Sequence, residues 1–389
     1  MSTRDTTSVL VVGGGLMGTA AARSLAESGR EVTLVERDVA ASEHGSSHGS
    51  ARIFRYGYPD PFYARLVTRS RPLFDDLSRR AGRELITPTG ALEFGSVRRP
   101  ELIAAALEAA GVEHELMDAA TASARWRGIV FDTDVLWHPD AGVIDAASTV
   151  HAQLALARAA GARIREGWEA RSIERTAGGY RVTGADGSTI DAGQVVLAVG
   201  AWLEDLLART ELPTGFHDAL PRARVTQENA YHFPYRDDPA ESTGPRAPWP
   251  AIIHKTEELQ LYALPGGRDA DHRGQKVARY LGGRTLADAT AQDGRIDPLD
   301  RARMVEHVRE NLPGLVPEPY AETTCLFTML PGEDFLVDRA EGLIVASPCS
   351  GHGAKFAPLI GQIIAEIADG GSGPERFTAA AFGQRAVAA

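Results

Sequence analysis

The chain has 389 residues, of which 43% are hydrophobic and 24% charged, so its composition is that of an ordinary soluble protein long enough for two domains. Acidic residues outnumber basic ones by 52 to 41, and the net charge of −11 disfavours nonspecific binding to nucleic acid or anionic membranes. No apolar run could span a membrane, the first residues lack a signal-peptide core, and two cysteines cannot form a disulfide framework. We therefore expect a cytoplasmic protein without metal, nucleic-acid or membrane partners.

The first predicted element is a nucleotide-binding turn. A short run of β-branched and apolar residues before Gly13 is typical of a strand buried on both faces. The pattern Gly13-x-Gly15-x-x-Gly18 follows and opens a predicted helix over residues 19–28, whose N-terminus can bind a pyrophosphate. The next strand ends in Glu36, an acid placed to accept hydrogen bonds from a ribose. The expected dinucleotide contacts are Gly13, Gly15, Leu16, Met17, Gly18, Glu36 and Arg37.

A polar, glycine-rich loop with two arginines follows this unit, over residues 44–56. Loops held by rigid elements carry a large share of binding and catalytic residues, and this one comes directly after a nucleotide-binding strand. We interpret the loop as functional. The alternative is a solvated connector whose arginines face water.

Helices and short strands alternate in the middle of the chain. Amphipathic or alanine-rich patterns predict helices over residues 62–80, 100–110, 146–160 and 203–208. Short strands are expected on both sides of turns within residues 86–94 and 137–143, and an antiparallel meander over residues 162–191. A buried strand that begins at residue 194 and ends at Gly200 and Trp202 is expected to end near the predicted dinucleotide site. The proline-rich segment 213–250 is expected to supply strands and loops of a second domain.

The C-terminal part repeats the strand–turn–helix pattern. A helix over residues 304–311 is followed by a buried strand over 342–347, and a turn containing Gly351 and Gly353 opens a helix running to residue 368. Two such units predict an α/β fold with a Rossmann-like domain built from both ends of the chain, and an α+β substrate domain with an antiparallel sheet. The first domain is expected to comprise residues 1–85, 142–212 and 320–389, and the second 86–141 and 213–319.

The glycine fingerprint alone fits either NAD or FAD. NAD enzymes usually add one compact domain with an acid or base for hydride transfer. The second glycine-rich turn, around Gly351, instead suggests a longer cofactor held at two ends, which favours FAD. An NAD-dependent dehydrogenase stays open at this point, as does a non-enzymatic flavin-binding protein.

Several motifs occur together and in one order along the chain. They are the fingerprint, Ser47-His48-Gly49, Arg52-Ile-Phe-Arg55, Ile86-Thr-Pro-Thr-Gly90, Val199-Gly-Ala-Trp202, Thr324-Cys325 and Ser350-Gly-His-Gly-Ala-Lys355-Phe356. In this combination the chain resembles the monomeric sarcosine oxidase and N-methyltryptophan oxidase family, flavin amine oxidases of the D-amino-acid-oxidase-like fold. The resemblance covers essentially the whole chain.

The resemblance implies roles for individual residues. Cys325 would bind FAD covalently through a thioether, and Arg55 and Lys355 would hold the substrate carboxylate. Lys276 would stabilise the superoxide charge that develops on oxygen, although the segment before it is longer than in the family. The family pattern also places Ser47, His48, Arg52, Gly200, Trp202, Gly351 and Gly353 at the cofactor.

The implied activity is oxidation of secondary amines or N-methyl amino acids: a hydride passes to the flavin, an imine forms, and O2 is reduced to H2O2. The chain departs from the family at two pocket positions, where Tyr280 replaces a histidine and Phe327 a tyrosine. With Tyr262 as a third wall, this pocket would suit bulkier or cyclic substrates, so an oxidase of pipecolate- or proline-like imino acids is the alternative. We expect a monomer.

Overall fold

The computed structural model describes residues 4–236 and 249–388. Its helices are α1 (Leu16–Glu27), α2 (Pro61–Ala81), α3 (Pro100–Ala109), α4 (Ala119–Arg125), α5 (Ala146–Ala159), α6 (Leu203–Leu207), α7 (Phe216–Ala219), α8 (Pro298–Asn311), α9 (Ala357–Ala368) and α10 (Ala379–Ala388). The predicted helices are all present, and α8 begins one and a half turns earlier than expected because Asp297 caps it and proline follows at its first position. Among the described residues, every helix is too short or too polar to span a bilayer.

The strands form three sheets. They are β1 (Arg4–Val12), β2 (Val32–Val35), β3 (Arg52–Phe54), β4 (Ile86–Pro88), β5 (Ala91–Phe94), β6 (Glu115–Met117), β7 (Val135–His138), β8 (Gly142–Ile144), β9 (Arg163–Arg165), β10 (Ala170–Thr176), β11 (Gly179–Gly184), β12 (Thr189–Leu197), β13 (Arg224–Phe233), β14 (Ala251–Lys255), β15 (Gln260–Pro265), β16 (Gln275–Arg279), β17 (Arg284–Thr285), β18 (Ala321–Met329), β19 (Leu336–Ala340) and β20 (Leu343–Ser347). Part of the predicted segment 213–250, residues 237–248, lies outside the described residues.

The first sheet has a parallel centre of order β20-β12-β1-β2-β9. Its strands come from both ends of the chain, and α1, α5 and α9 contribute to the apolar core on one of its faces. Val12 pairs with Leu197, and Leu197 with Val345, so three strands end at one edge. The turns after these strands, which carry the glycine motifs, therefore meet at that edge. The predicted α/β fold built from both ends is confirmed.

One strand prediction was wrong. The segment 162–191 was expected to be an antiparallel meander, but β9 pairs in parallel with β2 at the far edge of the first sheet. Only β10, β11 and the start of β12 form antiparallel pairs. The helix α5 returns the chain to that edge, and a strand that follows such a crossover helix adds in parallel.

The second sheet has the order β17-β13-β16-β15-β14-β5-β7-β6, with β18 also paired to β13. It is antiparallel except where β14 meets β5. A small third sheet, β3-β8-β4, includes β3, which lies within the predicted arginine loop. Residues 86–94 and 137–143 do form short strands around turns, but the two strands of each pair belong to different sheets. The domain boundaries stay a prediction, and β18, assigned by them to the first domain, is hydrogen-bonded within the second sheet.

Candidate functional site

The three fingerprint glycines are each required by a close contact. Gly13 has a φ of +108°, and a Cβ there would lie 2.5 Å from the carbonyl oxygen of Ala198. A Cβ on Gly15 would lie 2.9 Å from Ser47 Oγ, and one on Gly18 only 1.9 Å from the oxygen of Gly13. The turn therefore folds tightly against the end of β12 and places the N-terminus of α1 at the cleft described below, a position suited to an anion.

Glu36 lies at the end of β2, beside this turn. Its carboxylate accepts hydrogen bonds from the backbone N–H groups of Gly14, at 2.6 Å, and Asp38, at 3.0 Å. The neighbouring Arg37 stacks its guanidinium over the Trp202 ring, 4.8 Å from the centroid. These contacts place the acid and the aromatic ring at the mouth of one cleft.

That cleft has an empty volume of about 1140 Å³, including its open mouth. It is lined by the glycine turn, by residues 35–39 after β2, by residues 44–47 of the arginine loop and by residues 198–202 after β12. Trp202 Nε1 is buried here without a hydrogen-bond partner among the described residues. A concave site with a glycine-lined wall and a free donor is suited to a dinucleotide.

The arginine loop connects this cleft to the second sheet. Ser47 Oγ accepts a hydrogen bond from the N–H of Leu16, at the start of α1, and Ser46 Oγ donates to the carbonyl of Leu326 in β18. Arg52 donates to the carbonyls of Ser46 and His48, which fixes the loop's shape. The loop is therefore an ordered part of the site and not a solvated connector.

One face of the second sheet carries five predicted catalytic or cofactor residues. Across β13, Glu228 pairs with Cys325 and His232 with Lys276. Side chains alternate along a strand, so positions two or four apart share a face. The residues that this register places on the same face are Cys325, Phe327, Lys276, Tyr280 and Tyr262.

Burial and positive charge set the electrostatics of this face. Burial, reinforced by Arg52, lowers the pKa of Lys276 to about 8. The Lys276 ammonium has no hydrogen bond or ion pair within the described part of the chain, and its residue is only 6% exposed. Burial raises the pKa of the Cys325 thiol, whereas Arg52 and Lys276 act to lower it. Burial and the same two cations lower the pKa of His48 to about 4, and its Nε2 is unpartnered.

Arg55 is held by a buried ionic network at the other end of the site. Its guanidinium donates to the carbonyl of Gly57 and lies 3.8 Å from Glu93 Oε1. Glu93, on β5, is fully buried and also binds Arg98 and, at 3.1 Å, His138 Nε2. Burial alone would raise the pKa of Glu93, but Arg98 and Arg55 hold it well below the usual range. Arg55 therefore keeps its charge in a place largely shielded from water.

Lys355 lies close to Arg55, in the turn that leads directly into α9. It is 4% exposed, and its ammonium donates to the carbonyl of His352 at 2.7 Å. Burial, followed by the charge of Arg55, lowers its pKa well below the ordinary value. The Tyr58 ring lies 4.6 Å from the Arg55 guanidinium and 5.7 Å from the Lys355 ammonium. An anion that binds here would meet two buried cations beside one aromatic ring.

The two glycines of the C-terminal turn have different neighbours. A Cβ on Gly351 would lie 3.1 Å from the Phe327 ring and 3.2 Å from the Tyr280 ring, so these two rings meet above the turn. A Cβ on Gly353 would lie 1.8 Å from the carbonyl oxygen of Pro348 and 3.2 Å from Met17 Cε. The N-terminal and C-terminal motifs are therefore in contact.

Tyr262 and Tyr280 have different charged and titratable neighbours. The charged and titratable groups that act on it are Cys325, Arg52 and Glu228, and burial with the Cys325 thiol raises its pKa. The structure thus places Tyr262 beside the cysteine, whereas Tyr280 lies with Phe327. Its role in the substrate pocket stays a prediction.

The sequence analysis missed four residues of the site. Tyr58 hydrogen-bonds His352 Nδ1 at 3.0 Å, and Glu333 accepts from the Tyr280 hydroxyl at 2.8 Å. The Lys255 ammonium lies 4.5 Å from the centroid of the Tyr280 ring. Glu93 offered the one usable signal, since a lone acid within an otherwise apolar strand is expensive to bury without a partner.

A model of the family described as FAD dependent oxidoreductase (DAO) matches residues 8–367. The monomeric sarcosine oxidase of Streptomyces avermitilis is 32% identical over 375 residues, which cover 92% of this chain and 93% of that protein. The N-methyl-L-tryptophan oxidase of Escherichia coli O157:H7 is 27% identical and matches 92% of this chain and 94% of its own. NikD, described as an unusual amino acid oxidase essential for nikkomycin biosynthesis, has a similar structure with a TM-score of 0.80, 28% identity and 94% of each chain covered. The chain therefore belongs to the DAO family of FAD-dependent oxidoreductases.

Proposed function

We propose that this protein is an FAD-dependent oxidase of N-alkyl α-amino acids that forms an imine and H2O2. The observation that supports it most is the pair of cations formed by half-buried Arg55 and buried Lys355, near the end of a sheet face that also carries Lys276 and Cys325. The amine substrates named in its relatives, sarcosine and N-methyl-L-tryptophan, both fit this class of amino acid.

The residues present fit FAD. The glycine cradle and the cleft beside Glu36 would hold the dinucleotide, and His48 Nε2 and Trp202 Nε1 are buried donors or acceptors without a partner among the described residues. Cys325 would supply the covalent attachment: burial raises the pKa of its thiol, and the neighbouring Arg52 and Lys276 act against this by favouring the thiolate. When bound, FAD accepts two electrons from the substrate and delivers them to O2.

Arg55 and Lys355 orient the substrate. A guanidinium grips a carboxylate through two parallel hydrogen bonds, and the buried ammonium adds a second charge in a place of low dielectric. Glu93 and the Gly57 carbonyl prevent the Arg55 side chain from swinging away. The carboxylate is thereby fixed while the amine end of the substrate lies free to react.

Lys276 supplies the charge for the oxygen reaction. Its ammonium is buried and unpaired in the described part of the chain, so it is available to an anion that forms beside it. A fixed cation at such a position needs no reorganisation during the reaction. An oxidase requires such a fixed cation for its reaction with O2, whereas a dehydrogenase does not.

The proposal is tested with purified protein and N-methyl amino acids. We expect a yellow protein whose absorbance bleaches anaerobically with substrate and which releases one H2O2 per turnover in air. A colourless protein that requires NAD would overturn the proposal. After acid precipitation, colour in the pellet shows a covalent flavin, and colour in the supernatant shows a noncovalent one.

Cyclic imino acids are a second candidate substrate class. The observation that favours them is the pair of rings, Tyr280 and Phe327, which meet above Gly351 and offer apolar area to a substrate ring. A panel of sarcosine, N-methyltryptophan, proline and pipecolate separates the two classes by kcat/KM. A cytoplasmic location and a monomeric state complete the proposal, and both follow from the sequence analysis alone.

A further inference from the structure

Lys255 is a cation of the site that the proposed chemistry leaves without a role. It is the last residue of β14, and its ammonium lies over the Tyr280 ring at 4.5 Å from the centroid. Within the described residues this ammonium has neither a hydrogen bond nor an ion pair. Burial, with the charges of Arg55 and Arg98, lowers its pKa to about 8.

The charges at this end of the pocket do not balance. Four cations are present, Arg55, Arg98, Lys255 and Lys355, against two acids, Glu93 and Glu333. His352, Tyr58 and Tyr280 are neutral near pH 7, because burial lowers the pKa of the histidine and raises those of both tyrosines. Burial lowers the pKa of Lys355, and a bound carboxylate favours its charged form. One carboxylate then still leaves one positive charge in excess, since the reacting amine is uncharged.

Glu93 and Glu333 act on Lys255 at a distance, but neither forms an ion pair with it among the described residues. Glu93 is fully buried and takes contacts from Arg98, Arg55 and His138. Glu333 is exposed, and its carboxylate accepts a hydrogen bond from the Tyr280 hydroxyl. Lys255 is therefore a half-buried cation without a counter-ion in contact among the described residues, beside Tyr280 and near Arg55.

We propose that Lys255 binds a second anionic group of the substrate, so that the preferred substrate is an N-alkyl or cyclic amino acid with two carboxylates. This inference rests on the proposed function and deepens it. The α-carboxylate is held by Arg55 and Lys355, and the second carboxylate lies against Lys255 and the edge of Tyr280. A buried or half-buried ion pair with the substrate gives discrimination against a neutral analogue of the same shape.

Isosteric substrate pairs test the assignment. N-methyl-L-aspartate is compared with N-methyl-L-asparagine, and N-methyl-L-glutamate with N-methyl-L-glutamine, in a peroxide-coupled assay on the flavin-loaded enzyme. We expect the acid to exceed the amide at least tenfold in kcat/KM for one pair or both. In Lys255→Met this ratio falls at least tenfold, and Lys255→Arg restores part of it. Arg99→Met, which removes an exposed cation at the start of α3, is the matched control with an unchanged ratio.

A binding measurement gives a second readout that does not depend on turnover. Thioether analogues of the same pairs, with sulfur in place of the amine nitrogen, are titrated against the flavin absorbance to give dissociation constants. The acid analogue is expected to bind at least tenfold more tightly, and Lys255→Met to abolish the difference. An acid-to-amide ratio near one in both assays, with sarcosine oxidised normally, would overturn this inference alone. If no secondary amino acid is oxidised, the proposed function fails, and the titration still decides the role of Lys255.

Discussion

Burial favours the neutral form of both Cys325 and Lys276, although their chemistry requires the charged forms. The thiol pKa is raised and the ammonium pKa is lowered, while each of the two groups opposes the effect of burial on the other. Arg52 favours the thiolate and disfavours the ammonium. The site thus depends on a balance between desolvation and a few neighbouring charges.

Cys325→Ser is expected to remove the covalent flavin without preventing folding, because serine is nearly isosteric but cannot form the thioether. Mass spectrometry of the denatured proteins checks this: the wild type should carry the added mass of FAD, and the variant should have the mass of the bare polypeptide. Cys349→Ser is the matched control and keeps the added mass. A wild-type chain at bare mass would contradict the attachment.

Lys276→Met is expected to slow reoxidation of the reduced flavin on the order of 100-fold, the effect of removing one preorganised charge from a developing anion. Stopped flow separates this step from anaerobic reduction by substrate, which should change much less. Because the pKa of Lys276 is about 8, the ammonium is lost as the pH rises through that value. Wild-type reoxidation should therefore fall above pH 8, and the variant should lack this fall. Equal losses in both half-reactions would mean that Lys276 is a structural or substrate-binding residue.

At the scale of single elements, β5 is the strand on which the substrate end depends. It places Glu93 in the interior of the second sheet, where the acid compensates Arg98 and Arg55 at once. A Cβ on Gly57 would overlap the Glu93 carboxylate, so the loop after β3 is also shaped by this network. Through Glu93, β5 therefore affects both the conformation of the arginine loop and the net charge of the pocket.

Glu93→Gln is expected to destabilise the protein by about 3 to 5 kcal/mol, because it leaves two buried arginines without their counter-charge. Urea denaturation with linear extrapolation measures the free energy of unfolding. Glu101→Gln, at an exposed position in the first turn of α3, is the control and should change it by less than about 0.5 kcal/mol. A Glu93 variant as stable as the wild type would show that the network is not a net source of stability.

Local elements were predictable where a strong local signal exists. The fingerprint, the strand after it and the glycine-ended helices lie where their patterns place them. That β4 and β5 belong to different sheets was not predictable, because a short turn between two strands does not reveal which sheet each strand joins. Likewise, Lys255 and Glu333 belong to no motif. Lys255 reaches Tyr280 across β15, through Gln260, and Glu333 lies in a short turn after β18.

On the scale of the whole molecule, the site lies where the first and second sheets meet. The first sheet supplies the glycine turn and Glu36, and the second supplies Cys325 and Lys276. Loop hydrogen bonds join the two, such as Ser46 Oγ to the Leu326 carbonyl and the Ser350 N–H to the Thr328 carbonyl, each at 2.8 Å. Ala201, after β12, also packs in one apolar cluster with Leu326 of β18. A cofactor bound by residues of both sheets would add to this connection.

FAD is therefore expected to stabilise the whole chain, and a chain that cannot attach it covalently allows this to be measured. In Cys325→Ser protein stripped of flavin, added FAD should raise the midpoint temperature of unfolding measured by calorimetry. The free energy of unfolding should rise by about 2.7 kcal/mol when FAD is at 100 times its dissociation constant. NAD at the same concentrations is the control and should give a much smaller shift, because a cofactor held by the fingerprint turn alone binds more weakly. A shift with NAD and none with FAD would reverse the assignment of the cleft and remove the basis for an oxidase.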